Sequence, residues 1–134
     1  MKKVIYAVLL LSALILTGCG SSNENGTQLD SVPAEYSGKT NPFGADAEAV
    51  AAGKDVFLSS CQTCHGPQGH GDGPASGALN PAPKNLAELQ AAVEDDYLFW
   101  RISTGKDGTS MIAWEGILTE EQIWQVVSFI RTLK

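Results

Sequence analysis

Cys61-Gln62-Thr63-Cys64-His65 is the stretch on which this chain of 134 residues turns. Two thiols lie one helical turn apart and an imidazole follows the second directly. Three chemistries use that spacing: a redox dithiol, half of a zinc site, and covalent attachment of haem c. Which applies depends on the sequence to either side.

Just upstream, 45–60 reads as a helix. Asp46 is a good N-cap and Glu48 places an acid in the first turn, where the macrodipole favours it. Val50, Phe57 and Leu58 fall near one face. Gly53 inside this helix costs about 1 kcal/mol against alanine, which implies a close-packing reason.

Further upstream, 19–44 reads as a linker. Gly20 to Thr40 is rich in Ser, Asn, Gly and Thr and has no sustained apolar period. Tyr36 and Asn41-Pro42-Phe43 are its candidates for docking, on the domain or on a partner. Ahead of it, Met1-Lys2-Lys3 precedes an apolar run from Val4 to Leu16, the length of a signal-peptide core and short for a membrane span. Leu16-Thr17-Gly18-Cys19 looks like a bacterial lipobox. These features predict a lipoprotein signal peptide over 1–18, acylation of Cys19, and a lipid-anchored protein on the periplasmic or other extracytoplasmic face of a membrane.

With Cys19 assigned to lipid, Cys61 and Cys64 complete the three cysteines. As half of a zinc site the motif needs two further ligands, and of Cys and His outside it only His70 remains. A thioredoxin-like dithiol needs a βαβ setting, and no strand pattern is present. Export favours haem c, which is assembled outside the cytoplasm. The reading is therefore one covalent haem c on Cys61 and Cys64 with His65 as proximal ligand. A structural lipoprotein with a Cys61–Cys64 disulfide is the rival that lacks haem.

Downstream, Gly66 to Lys84 carries so many glycines and prolines that no regular element is expected. A loop of that length is functional or wraps something. Short helices are predicted over 86–93 and 95–103, ended by Thr104-Gly105-Lys106-Asp107-Gly108. Thr119-Glu120-Glu121-Gln122 matches a capping box, and Ile123, Val126, Val127 and Ile130 follow at helical spacing with Trp124 and Phe129 alongside. The prediction is one all-α domain over 45–134 with long loops.

The second axial ligand follows by elimination. Without the signal peptide, Met111 is the methionine that remains, in a loop (105–115) between two helices. His70 lies too soon after His65 to pass around a porphyrin edge. His/Met ligation raises the reduction potential relative to bis-histidine and leaves no open position, which suits electron transfer. The alternatives are a core methionine beside five-coordinate iron, or a haem enzyme or gas and redox sensor with a displaceable Met111.

A helix bearing Gly53 and Phe57, then Cys-x-x-Cys-His, a methionine loop and a terminal helix with Phe129 together resemble class I cytochrome c. The resemblance implies N- and C-terminal helices that cross tightly, Gly53 meeting the face that bears Phe129. The run Cys64-His65-Gly66-Pro67-Gln68-Gly69-His70-Gly71-Asp72-Gly73-Pro74-Ala75 is similar to single-haem domains of respiratory complexes, including cytochrome subunits of haem-copper oxidases and of alternative complex III. It further implies a loop proline, Pro81 or Pro83, whose carbonyl takes the His65 Nδ1 proton.

Tyr97, Trp100 and Trp114 are candidates to line the haem pocket, against ordinary core packing. Arg101 and Lys106 read as solvated charges rather than propionate partners, and Asp72 as a turn residue. A net charge of −6, from 9 basic and 15 acidic side chains, argues against nucleic acid and permits a basic protein partner. No acid–base pair is arranged for a second reaction, so no small-molecule substrate is expected. The function expected is one-electron transfer between membrane-associated redox partners, as a free-swinging carrier or as a fixed subunit of a respiratory or photosynthetic complex, the tether keeping the carrier close to them.

Overall fold

The computed structural model describes residues 29–134. The predicted signal peptide and Cys19 lie outside the described residues. The compact unit Ser31–Lys134 is helical. Its elements are α1 (Ala47–Ser60), α2 (Gln62–His65), a single 3-10 turn at Ser76–Ala78, α3 (Leu86–Ala92), α4 (Asp95–Thr104) and α5 (Glu120–Ile130). Among the described residues there is no strand, and no helix is long and apolar enough to cross a membrane.

Side-chain caps explain where three of these helices start. Asp46 accepts from the Ala49 N–H at 2.9 Å. The Asn85 carbonyl group accepts from Ala87 and Glu88, and its amide donates to the Glu88 carboxylate at 2.9 Å. Thr119 and Gln122 form the full capping box, each side chain taking the other's N–H.

The crossing of α1 and α5 organises the core. Ala49, Gly53 and Phe57 form the buried stripe of α1, with Val50 and Leu58 on its flanks. The stripe is centred one position away from the expected Val50 face, because the small residues are what let α5 approach. A Cβ at Gly53 would lie 1.9 Å from the Gln125 carbonyl oxygen, so the two backbones are in contact there. One turn on, Phe57 meets Phe129 with ring centroids 5.1 Å apart. This is the crossing that the class I resemblance implies. Phe57, Val126 and Val127 are fully buried, and each such side chain contributes about 1.5–3 kcal/mol of burial.

Helix α4 presents two faces. Leu98, Phe99 and Ile102 join the core, Phe99 stacking on Trp124 at 4.1 Å. Arg131, just past α5, ties the α3–α4 junction: it pairs with Asp95 at 2.7 Å and donates to the carbonyls of Gln90 and Val93.

The packed unit begins at Ser31, so the second half of the 19–44 segment lies against the helices. Asn41 donates to Ser128 Oγ at 2.8 Å and to the Trp124 carbonyl, giving a buried serine its partner. The Gly38 N–H donates to Asp96, Tyr36 sits 6.2 Å from Phe99, and Phe43 packs on the core. Tyr36 and the Asn41–Phe43 stretch dock on the domain.

Candidate functional site

The motif begins where α1 ends. The Cys61 N–H closes the last turn on the Phe57 carbonyl at 2.8 Å, and the Cys61 carbonyl accepts from Cys64 and His65 at 3.2 and 3.0 Å. That turn sets both thiols and the imidazole on one short helix, α2. The carbonyls of Gln62, Thr63, Cys64 and His65 lack helical partners, as at any helix end. Each finds a donor in the following loop: Gly66, Ala75, Gly73 and Gly71 respectively, at 2.8, 2.9, 3.2 and 2.8 Å.

His65 is half-buried, with Nδ1 3.1 Å from the Lys84 carbonyl. A carbonyl only accepts, so Nδ1 carries the proton and Nε2 keeps its lone pair. Burial pushes the imidazole below its ordinary 6.5, against the opposing effect of that hydrogen bond, and so favours the neutral form a metal requires. Burial, with Cys64 beside it, pushes the Cys61 thiol up to about 12. A redox nucleophile needs the opposite shift. Both cysteines are free, and among the described residues no three His, Cys, Asp or Glu side chains converge as a metal site would need. Two free thiols a turn apart and a neutral imidazole with Nε2 available fit covalent haem c.

Met111 lies in the segment linking α4 to α5, half-buried against the core. Its carbonyl accepts from Lys106 at 3.0 Å and its N–H donates to Thr109 Oγ1 at 3.1 Å. Gly105, at φ +69°, ends α4, and a Cβ there would lie 2.5 Å from the Met111 carbonyl oxygen. The loop thus folds back over a glycine that has no room for a side chain.

The three candidate pocket aromatics separate. Trp114 packs on the core in the same segment as Met111, its backbone N–H shared by the carbonyls of Ile102 and Ser103 at 3.1 Å. Tyr97 and Trp100 stand outside the main apolar cluster, edge to face at 5.7 Å on the other side of α4. Arg101 lies 3.8 Å over the Trp100 ring and donates to the Gly105 carbonyl; it is half-buried, not the solvated charge expected. A cation over an indole face is favourable and shields it from water.

A search of curated proteins by sequence returns no match. Residues 48–130 match the family described as "Cytochrome C oxidase, cbb3-type, subunit III". The chain belongs to that cytochrome c family. Three solved structures are similar to this cytochrome. A reducing HAO-like protein complex of Kuenenia stuttgartiensis gives a TM-score of 0.60 at 21% identity, over 69% of this chain and 47% of that one. Cytochrome cL of the marine methylotroph Methylophaga aminisulfidivorans gives 0.57 at 23%, over 80% and 70%. The c-type cytochrome KustC0563 gives 0.51 at 29%, over 61% and 96%. The fold is the all-α class I cytochrome c fold, the cofactor is covalent haem c, whose attachment site Cys61 and Cys64 fit, and a cytochrome c domain implies haem-based electron transfer.

One expected contact of the cytochrome is corrected. The carbonyl on His65 Nδ1 belongs to Lys84, not to Pro81 or Pro83. The Pro83 carbonyl is turned to Gly71 instead, where a Cβ would lie 2.5 Å from it. A main-chain acceptor leaves no mark in a side-chain pattern, so Lys84 was invisible in the sequence. Gly71, Gly73 and Gly105 were visible as loop-formers, and their packing role was not.

Proposed function

We propose that this cytochrome is a one-electron carrier in which His65 and Met111 would hold the haem iron, anchored through an acylated Cys19 at the extracytoplasmic face of a membrane. There it serves redox partners as a subunit of a respiratory or photosynthetic complex. The observation that carries the reading is the His65 ring, held by Nδ1 on the Lys84 carbonyl with Nε2 left for iron. Bound haem c supplies one-electron exchange between ferrous and ferric iron. Cys61 and Cys64 hold the group covalently. Met111 offers a thioether from a loop fixed at Lys106 and Thr109. A second protein ligand closes the position that oxygen or peroxide chemistry would need. Trp114, packed on the core in the segment that carries Met111, supplies a large ring that excludes water and holds the potential up.

Complex membership draws support from the family's description as an oxidase subunit and from a Kuenenia structural neighbour that is a protein complex. The acidic surface, net −6, favours a basic docking partner. The leader features at Val4–Leu16 and Leu16–Cys19 support the anchor.

The optical spectrum tests the ligand set. The reduced holoprotein is expected to be low-spin, and the oxidised form to show the far-red methionine–iron band, lost in Met111→Ala. A high-spin ferrous spectrum with carbon monoxide binding at neutral pH would favour a haem enzyme or gas sensor. Acyl chains on Cys19, read by mass spectrometry, test the anchor.

A further inference from the structure

The loop after the motif also reaches the residue that holds the imidazole. Residues 66–75 form a strap along one side of α2, with the N–H groups of Gly71, Gly73 and Ala75 on the carbonyls of His65, Cys64 and Thr63. The strap's other side meets residues 83–86. There the Leu86 N–H donates to the Gly69 carbonyl at 2.6 Å. A Cβ at Gly71 would lie 2.5 Å from the Pro83 carbonyl oxygen and 3.3 Å from the carbonyl carbon and oxygen of Lys84. The Lys84 carbonyl is the one on His65 Nδ1. Gly71 therefore reaches His65 twice: directly, through its N–H on the His65 carbonyl, and indirectly, through the 83–84 peptide packed on its Cα.

We propose that Gly71 is a positioning residue for His65, its missing side chain setting the hydrogen bond that tunes this ligand. At φ +78° glycine alone is unstrained, and the crowding atom is backbone with no flexible end to move. A side chain at 71 pushes the Pro83 carbonyl away and carries Lys84 with it through the peptide they share. A hydrogen bond from Nδ1–H raises the basicity of the ring's other nitrogen. A more basic ligand favours ferric iron, so losing the bond moves the one-electron equilibrium toward ferrous. The inference rests on His65 as an iron ligand and does not involve Met111.

The test compares Gly71→Ala and Gly38→Ala holoproteins with the wild type by redox titration and by NMR of the His65 Nδ1 proton. Gly38 shares the φ of +78° but faces open space, so it reports backbone strain alone. Gly71→Ala is expected to shift the equilibrium roughly tenfold toward ferrous, about 59 mV upward for one electron. Nδ1 proton exchange should quicken, and Gly38→Ala should change neither reading. An unchanged potential in Gly71→Ala, or equal shifts in both variants, overturns the positioning role. Should Gly71→Ala yield no holoprotein, Pro83→Ala decides: it relaxes the same peptide, a smaller upward shift is expected, and no shift overturns the proposal. A wild-type low-spin spectrum in His65→Ala would instead overturn the ligation itself, whatever the Gly71 result.

Discussion

Around His65, the motif helix has a loop donor on each of its four carbonyls, and the ring has its own acceptor on Lys84. The segment that carries Met111 is held chiefly at its neck, where Lys106 meets the Met111 carbonyl and Trp114 reaches back to the end of α4. Ile112 and Ile117, on either side of Trp114, are 56% and 61% exposed. The histidine side is cross-braced by backbone and the methionine side is a loop over a glycine. Backbone bracing resists local opening, whereas sparsely packed loops open first. If both residues ligate the iron, they will not be lost together: Met111 will detach under milder conditions than His65.

The largest effect should come from disturbing the braced side. Gly73 is buried, and a Cβ there would lie 2.5 Å from the carbonyl oxygens of both Gln62 and Thr63. Neither can move without breaking the pairing on α2. Gly73→Ala should cost about 3 kcal/mol and lower the yield of covalently attached haem, read by haem staining after denaturation. Normal stability and yield would mean the strap is not a brace.

A smaller and more selective loss is expected from the methionine side. Gly105→Ala places a side chain at φ +69° and against the Met111 carbonyl, at a cost of about 2 kcal/mol. The methionine–iron band should weaken or vanish while covalent haem is retained. Equal loss of both signals would erase the contrast between the two sides.

What could be read in advance follows the same division. The motif, the Asp46 cap and the Thr119–Gln122 box are local side-chain signals, and all three stand where expected. The α1–α5 crossing was legible because Gly53 is anomalous inside a helix. The docking of residues 31–44 was only half legible. Asn41 on Ser128 and Tyr36 on Phe99 are contacts distant in sequence, and the polar composition around them reads as linker. Lys84 acts through its carbonyl, which every residue has, so the family pattern led to the prolines beside it. The glycines of the strap signal only that the chain turns. What the turn fits against appears only when Pro83 and Lys84 are beside Gly71.

The weakest effect expected links the methionine side to the amino-terminal segment. Partial burial, then the Glu115 and Glu35 carboxylates, push the Tyr36 phenol above its ordinary 10.0. Above that pH the unfolded chain loses the phenolic proton first, while the folded chain still holds it. The folded state then binds more protons, so stability falls as pH rises from 10.0 toward the raised value and is unaffected below that window. Denaturant midpoints at about pH 9 and about pH 11 should differ more in the wild type than in Tyr36→Phe. Equal differences would remove Tyr36 from the account. Glu115 adjoins Trp114 at the foot of the methionine segment, so Glu115→Gln should recover part of the same difference. A loss that Tyr36→Phe relieves and Glu115→Gln leaves whole would assign the effect to burial, and the methionine segment would then be electrically independent of residues 31–44.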